Sequence, residues 1–292
     1  MRYGYITNGF ADHSFEQVIE ILSGIGYAGV GVTLDHVHLD PFLAREDRVG
    51  ELAALLKEAS LEVVIETGAR YYLDPRKKHE PSMVSPDGDG RERRIAYYQR
   101  SIEIASLLGA PVVSLWSGVA AAGEEEERNW GRLLDGLTRV LEVAASHGII
   151  IGFEPEPGMF IEDVADWREL RSRLDHPALG LTLDLGHLAV TEEDPLERAI
   201  VEEAEHLVNV HVDDVRERRH EHLPLGEGEI DFPPLLSALV DCGYKGLALV
   251  ELSRHSHVAP EVSRRSLEFL REAESALEGR RTGREIDGRE GS

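Results

Sequence analysis

Carboxylate and imidazole side chains recur where short apolar runs of this chain stop. Ile149-Ile-Ile-Gly-Phe153 runs into Glu154-Pro-Glu156, and Leu179-Gly-Leu-Thr-Leu183 runs into Asp184, with His187 three positions later. Leu207-Val-Asn-Val210 meets His211-Val-Asp-Asp214, and Leu247-Ala-Leu-Val250 meets Glu251. Burying an ionised carboxylate costs several kcal/mol unless it is paired or bound to a cation. A single Glu or Asp at a strand end is as often a helix cap or a salt-bridge partner, and a single His is more often a satisfied core residue. Four such ends in succession form a set. Glu154, Asp184, His211 and Glu251 make an oxygen-rich donor group suited to one divalent metal ion, Mn²⁺, Mg²⁺ or Co²⁺, with Zn²⁺ also accommodated. Without a cation the three carboxylates would repel one another and raise their pKa values.

These residues need elements that bring their ends together. Short apolar runs alternate with longer amphipathic segments along the whole chain. Strands are expected at 3–7, 28–34, 62–66, 111–116, 149–154, 179–184, 207–212 and 246–251, each followed by a helical segment. Near-continuous apolar strands imply a parallel sheet covered on both faces, and eight β-then-α units imply a closed (β/α)8 TIM barrel. Its functional residues sit at the C-terminal mouth, where all four candidates fall. Ser14-Phe-Glu-Gln17 reads as a capping box opening the first helix. Gly26, Gly109, Gly148 and Gly243 fall between a helix and a strand, where a left-handed C-cap turns the chain back. One domain is expected over residues 1–278, with the Gly- and Arg/Glu-rich stretch 279–292 a disordered tail. No linker divides the chain.

At 292 residues the length suits one such barrel. Hydrophobic residues make up 42% and charged residues 29%, an ordinary soluble composition. The 55 acidic residues outnumber the 31 basic ones, for a net charge of −24 that disfavours nucleic acid and anionic membranes as partners. Cys242 is the single cysteine, which excludes an intrachain disulfide and a zinc–thiolate cluster. The N-terminus shows no basic-then-apolar leader and no apolar run approaches the ~20 residues of a membrane span, so a cytoplasmic protein is expected.

The motifs Phe153-Glu-Pro155, Leu183-Asp-Leu-Gly-His187, Val210-His-Val-Asp213, Leu225-Gly-Glu-Gly-Glu-Ile-Asp-Phe232 and Gly243-Tyr-Lys-Gly246 leading to Val250-Glu251 carry a resemblance. The chain resembles the xylose-isomerase-like barrels, in particular the sugar phosphate isomerase/epimerase group, over essentially all residues up to Leu277. The resemblance implies Glu154, Asp184, His211 and Glu251 as metal ligands, with Glu154 and Glu251 also the acid/base pair and His187 near the substrate's oxygens. The implied chemistry binds a keto-sugar through two adjacent oxygens, so that the polarised carbonyl acidifies the neighbouring C–H. One carboxylate then takes that proton to give a cis-enediolate, and the other can return it on the opposite face.

Further candidates flank this set. Glu156 is placed to contact a substrate hydroxyl, and Trp116 and Phe10 to wall the pocket. Glu66, His36 and His38 also stand at strand ends. Arg216 and Arg218, in the charged loop Arg216-Glu-Arg-Arg-His-Glu-His222, suit an anionic or carboxylated substrate group. Ketose epimerases carry an arginine six residues after the strand-seven histidine, where this chain has Glu217. The expected partner is a small sugar or keto-polyol, and pairing of barrels through their loop faces leaves room for a homo-oligomer. A metal-dependent dehydratase of an inosose or dehydroshikimate-type substrate is the nearest alternative, because it starts from the same proton abstraction. A non-catalytic sugar-binding barrel is the alternative from another class. An endonuclease IV-like repair enzyme would need histidines from strands three and four, where this chain offers Glu66 and Trp116.

Overall fold

The computed structural model describes residues 1–193 and 195–287. Eight parallel strands close into a barrel: β1 (Arg2–Ile6), β2 (Gly29–Thr33), β3 (Glu62–Glu66), β4 (Val112–Leu115), β5 (Ile150–Phe153), β6 (Leu179–Asp184), β7 (Leu207–Val212) and β10 (Leu247–Val250). Neighbours follow chain order, and β1 pairs with β10 to close the ring. Helices α1 (Phe15–Ile25), α2 (Glu46–Glu58), α3 (Gly88–Leu108), α4 (Glu126–His147) and α5 (Val164–Arg173) lie between successive strands through β6. A short α6 (Leu185–Thr191) and α7 (Glu197–Glu202) follow β6, α8 (Phe232–Asp241) precedes β10, and α9 (Ala259–Asp287) ends the described chain. The expected (β/α)8 TIM barrel is therefore the fold.

Local chemistry sets the boundaries. Ser14 and Gln17 form the reciprocal capping box that opens α1. Gly109, at φ 75°, donates its N–H back to the carbonyls of Ala105 and Ser106 and redirects the chain into β4. Most apolar side chains pack between the strands and the helical ring. A second cluster joins Ile6, Val64, Val112, Leu247 and Leu249. Because β4 and β10 are not neighbours, these side chains meet across the barrel interior, which they fill.

Two features depart from the expected elements. Between β7 and α8 the chain forms an antiparallel hairpin, β8 (Asp214–Arg216) with β9 (Arg219–Leu223), where a loop is expected. Its turn places Glu217 and Arg218 at φ 53° and 55°, a left-handed conformation normally signalled by Asn or Gly. The turn therefore carries no sequence signal. The helix α9 continues past residue 279 as far as Asp287, into the stretch expected to be a tail, whose residues 288–292 lie outside the described chain. Cys242 is half-buried and reduced, its thiol donating to the Leu239 carbonyl. Among the described residues no helix is long and apolar enough to cross a membrane.

Gly29 shows how tightly the ring closes. It pairs with Gly4 on one side and Glu62 on the other, and a Cβ there would meet the Leu247 side chain and stand 2.8 Å from the Glu62 carbonyl oxygen. Backbone cannot yield as a side-chain tip can. Gly29→Ala is expected to cost roughly 1–3 kcal/mol of stability, as overpacking does. Urea denaturation measures it, and an unchanged midpoint would show that β2 and β3 can separate without penalty.

Candidate metal and active site

The period-2 alternation of the strands carries the barrel filling into the site. Val64 and Glu66 share one face of β3, and Leu249 and Glu251 continue the same face at the end of β10. Asn209 and His211 do so on β7, Thr182 and Asp184 on β6. The last inward position of each strand is thus polar where the one below it faces the core. These ends surround a cavity of about 290 Å³ at the barrel mouth.

Glu154, Asp184, His211 and Glu251 converge there. One ligand atom from each lies within 4.8 Å of the others, so the group could hold a metal ion. His211 Nδ1 stands 3.2 Å from Glu154 Oε1, 3.3 Å from Glu251 Oε2 and 3.9 Å from Asp184 Oδ2. Its other nitrogen, Nε2, is 3.0 Å from Glu66 Oε1, to which Asn209 Nδ2 also donates at 3.1 Å. A proton held on Nε2 by Glu66 would leave Nδ1, which faces the carboxylates, as the nitrogen offered to a cation. A carboxylate behind a ligating histidine is a common orienting device. Asn8 Nδ2 donates to Glu251 Oε1 at 2.8 Å and aims that carboxylate.

Asp184 has a divided role. Its Oδ1 accepts the His187 backbone N–H at 2.8 Å and caps α6, whereas buried Oδ2 has no hydrogen-bond partner. A buried, unsatisfied carboxylate oxygen is costly in a native structure, and a cation would satisfy it. The donor set fits a divalent ion.

Charge in this pocket is unevenly distributed. Against burial, which raises it, the imidazoles of His187, His211 and His222 hold the Asp184 carboxyl below its ordinary range. Glu251 is likewise held low against burial by its His211 contact. Burial dominates at Glu156, which is pushed up to about 7 with help from Glu154 and Glu251. Burial also raises Glu66. His211 is raised against burial by Glu66 and Glu154.

Of the other expected site residues, His187, Glu156 and Trp116 line the cavity. Arg216 and Arg218 do not: both are exposed on the hairpin, donating to the carbonyls of Glu227 and Val190. Exposed Arg70, Lys78 and Arg254 line the mouth instead. Phe10 is buried beneath Tyr5, His38 Nε2 donates to the Phe10 carbonyl, and His36 pairs with Asp40. His220 was not singled out by the sequence, yet it lines the cavity beside His187 and His222. An alternation of His220-Glu-His222 could have pointed to it, since residues two apart on a strand share a face.

The Leu225-Gly-Glu-Gly motif has a structural task. Asp214 accepts the backbone N–H groups of Gly226 at 3.0 Å, Gly228 at 2.9 Å and Ile230 at 3.1 Å. A Cβ at Gly228 would collide with that carboxylate. The loop and the hairpin are thereby tied together. If His211 is a ligand, Glu66→Gln should weaken Mn²⁺ binding about 10–100-fold, as loss of an orienting carboxylate does. Titration calorimetry measures this, and unaltered affinity would remove Glu66 from the role.

Comparisons with known proteins agree with this architecture. Residues 19–273 match the family model described as a xylose isomerase-like TIM barrel. L-ribulose-5-phosphate 3-epimerase of Shigella flexneri serotype 5b is 25% identical over 195 residues, 66% of this chain and 68% of that protein. Inosose dehydratase of Geobacillus thermodenitrificans is 28% identical over 165 residues, 50% of this chain and 55% of the relative. The crystal structure of a D-tagatose 3-epimerase-like protein superposes with a TM-score of 0.80 at 20% identity, covering 96% of this chain and 99% of that one, a likeness of fold. Because the matched span runs from within α1 to within α9 and includes all four convergent residues, the chain belongs to the xylose isomerase-like TIM-barrel family.

Proposed function

We propose that the protein is a divalent-metal-dependent isomerase or epimerase of a keto-sugar. The observation that carries this reading is the convergence of Glu154, Asp184, His211 and Glu251 around one point, with His211 Nδ1 and the unsatisfied Asp184 Oδ2 both turned toward it. Mn²⁺, Mg²⁺ or Co²⁺ suits three carboxylates and one imidazole, and Zn²⁺ also fits. A divalent ion held there polarises a substrate carbonyl and acidifies the adjacent C–H.

The protein supplies the proton transfers. Glu154 and Glu251 arrive from β5 and β10, the outer two of four consecutive strands, so a substrate lying across β6 and β7 meets one carboxylate on each side. One takes the proton from carbon and the other returns it, which inverts a centre or moves the carbonyl. Asn8 fixes the direction of Glu251 through its 2.8 Å hydrogen bond. Trp116 offers an apolar wall, and Glu156 a polar group for a hydroxyl. The cations at the mouth, Arg70, Lys78 and Arg254, suit a substrate with a phosphate or carboxylate end, the task expected of Arg216 and Arg218. A dehydratase reading stays beside this one because the inosose dehydratase relative shares half the chain; it differs only in whether a β-hydroxyl leaves after the proton is taken.

Proton NMR in D₂O with a panel of ketoses, phosphorylated ketoses and inososes tests both. The Mn²⁺-loaded protein should wash deuterium into the carbon beside the carbonyl, and chelation should abolish it. Glu154→Gln and Glu251→Gln should each slow exchange by about 10²–10⁴-fold, the usual contribution of a positioned acid or base. Undiminished exchange in both variants would end the two-carboxylate assignment, and an alkene or diketone product would select the dehydratase.

A further inference from the structure

A second cavity, of about 230 Å³, opens beside the first at the loops that follow β2 and β3. Asn8, Thr33, Gly68, Arg70 and Ser253 line both, so the two spaces meet along one seam. Arg70 spans that seam by donating to the Ser253 carbonyl at 2.8 Å. The cavities, about 290 and 230 Å³, each fall short of the ~300 Å³ at which ordinary ligand pockets begin, and joined they exceed it.

The two halves differ in chemistry. The first is crowded with carboxylates and imidazoles. In the second, the polar groups are engaged with their own neighbours. Asp35 Oδ1 accepts the backbone N–H groups of Val37 at 2.8 Å and His38 at 3.2 Å. The Tyr72 hydroxyl donates to Asp40 Oδ1 at 2.6 Å, and His36 Nδ1 lies 3.1 Å from Asp40 Oδ2. What these residues offer a ligand is ring and aliphatic surface. The Tyr72 ring packs against His36, with centroids 4.6 Å apart, and against Tyr97 at 5.3 Å, which fixes it as a platform. Val37 and Tyr71, 47% and 52% exposed, add apolar area beside it. Such a surface suits a planar apolar ring. An apolar cavity of about 150 Å³ already accepts benzene, so this one has room for a substituted ring.

The seam itself is polar and unsatisfied. Asn8 Oδ1 and Thr33 Oγ1 are buried there without a hydrogen-bond partner. Buried oxygens of that kind call for one. A ligand hydroxyl at the seam can donate to Asn8 Oδ1, and the Thr33 hydroxyl can donate to a linking oxygen. A ligand that satisfies both is polar in its middle and apolar at one end.

We propose that the second cavity is a subsite for an aromatic substituent of the substrate, whose keto-sugar ring occupies the first. The substrate class is then an aryl keto-glycoside and not a free ketose. Because the anomeric carbon is joined to the substituent, the ketone stands elsewhere on the ring. The identity of that ring rests on the keto-sugar reading; the apolar subsite does not.

Methyl and phenyl 3-ketoglucopyranosides, compared as substrates of the Mn²⁺-loaded full chain, test this. The phenyl glycoside should show a KM about 10–100-fold below the methyl one, the equivalent of burying one aromatic ring. The double variant Val37→Ser/Tyr71→Ser should lose that advantage and process the methyl glycoside as the wild type does. Ala11→Phe, which fills the cavity, should do the same. Saturation-transfer NMR with phenyl β-D-glucopyranoside, which has no ketone to react, reads binding without turnover. Its ring protons should report contact with the wild type and lose it in both variants. Equal KM values for the two glycosides in the wild type, or a preference that survives in both variants, overturns the subsite. So does the absence of ring contacts in the wild type, whatever is turned over. No turnover of either glycoside or of any ketose, with ring contacts that vanish in the variants, would uphold the subsite while ending the keto-sugar reading. A wild-type dimer that the double variant dissociates, with equal KM values, would assign Val37 and Tyr71 to a second copy of the chain and overturn the proposal.

Discussion

Like charge forced into one small buried volume is the constraint on which this barrel turns. Glu154, Asp184 and Glu251 meet at the floor of the mouth, with Glu66 and Glu156 close by. Two carboxylates 4 Å apart repel by about 4 kcal/mol at the effective dielectric of such a site. The strands that carry them are locked by parallel ladders on both sides, so the charges cannot relax by moving apart. Neutralisation must come from what faces them. The protein offers His211, His187 and His222, and shifts Glu156 and Glu66 toward their neutral forms. The unsatisfied Asp184 Oδ2 marks where this compensation stops short.

The same constraint explains devices that look unrelated. Gly186 is required because a side chain there would collide with Asp213, which itself holds His222. Asp214 gathers three backbone N–H groups of the Leu225–Ile230 loop and so anchors the hairpin that presents His220 and His222. Asn8 and Asn209 reach in from β1's end and β7 to bind carboxylate oxygens that would otherwise compete for the same imidazole. Each residue spends its polar capacity on orientation, and the result is lone pairs directed inward.

How much of this was legible beforehand follows from periodicity. The eight barrel strands are readable because buried parallel strands are apolar on both faces and end at polar residues. The four convergent residues are readable for the same reason, as each is a carboxylate or an imidazole at the end of such a run. The hairpin is not, because Glu217 and Arg218 adopt left-handed angles without Gly or Asn to announce them. His220 went with it, since its place depends on a strand the pattern conceals. Arg216 and Arg218 read as anion-binding from their charge, but the turn directs them to carbonyls of Glu227 and Val190 outside the cavity. Glu66 stood out only as a strand end, and its orienting contact with His211 crosses 145 residues of sequence.

Net charge also misleads if read as the charge a ligand meets. The chain carries −24, yet Arg70, Lys78 and Arg254 stand exposed at the mouth of the cavity that holds the carboxylates. Screening at physiological salt confines interactions to about 8 Å, so a small anion at the mouth responds to these three cations more than to the distant acidic surface. A polyanion, which spans many such lengths, meets the whole negative surface instead. The exposed side-chain charge at the mouth is therefore cationic although the chain as a whole is acidic. Burial reinforces the difference: His79, in the same loop as Arg70 and Lys78, is lowered to about 3 by burial and by the neighbouring Lys78 and Arg94, so it adds no charge and leaves the cationic rim to the three exposed side chains.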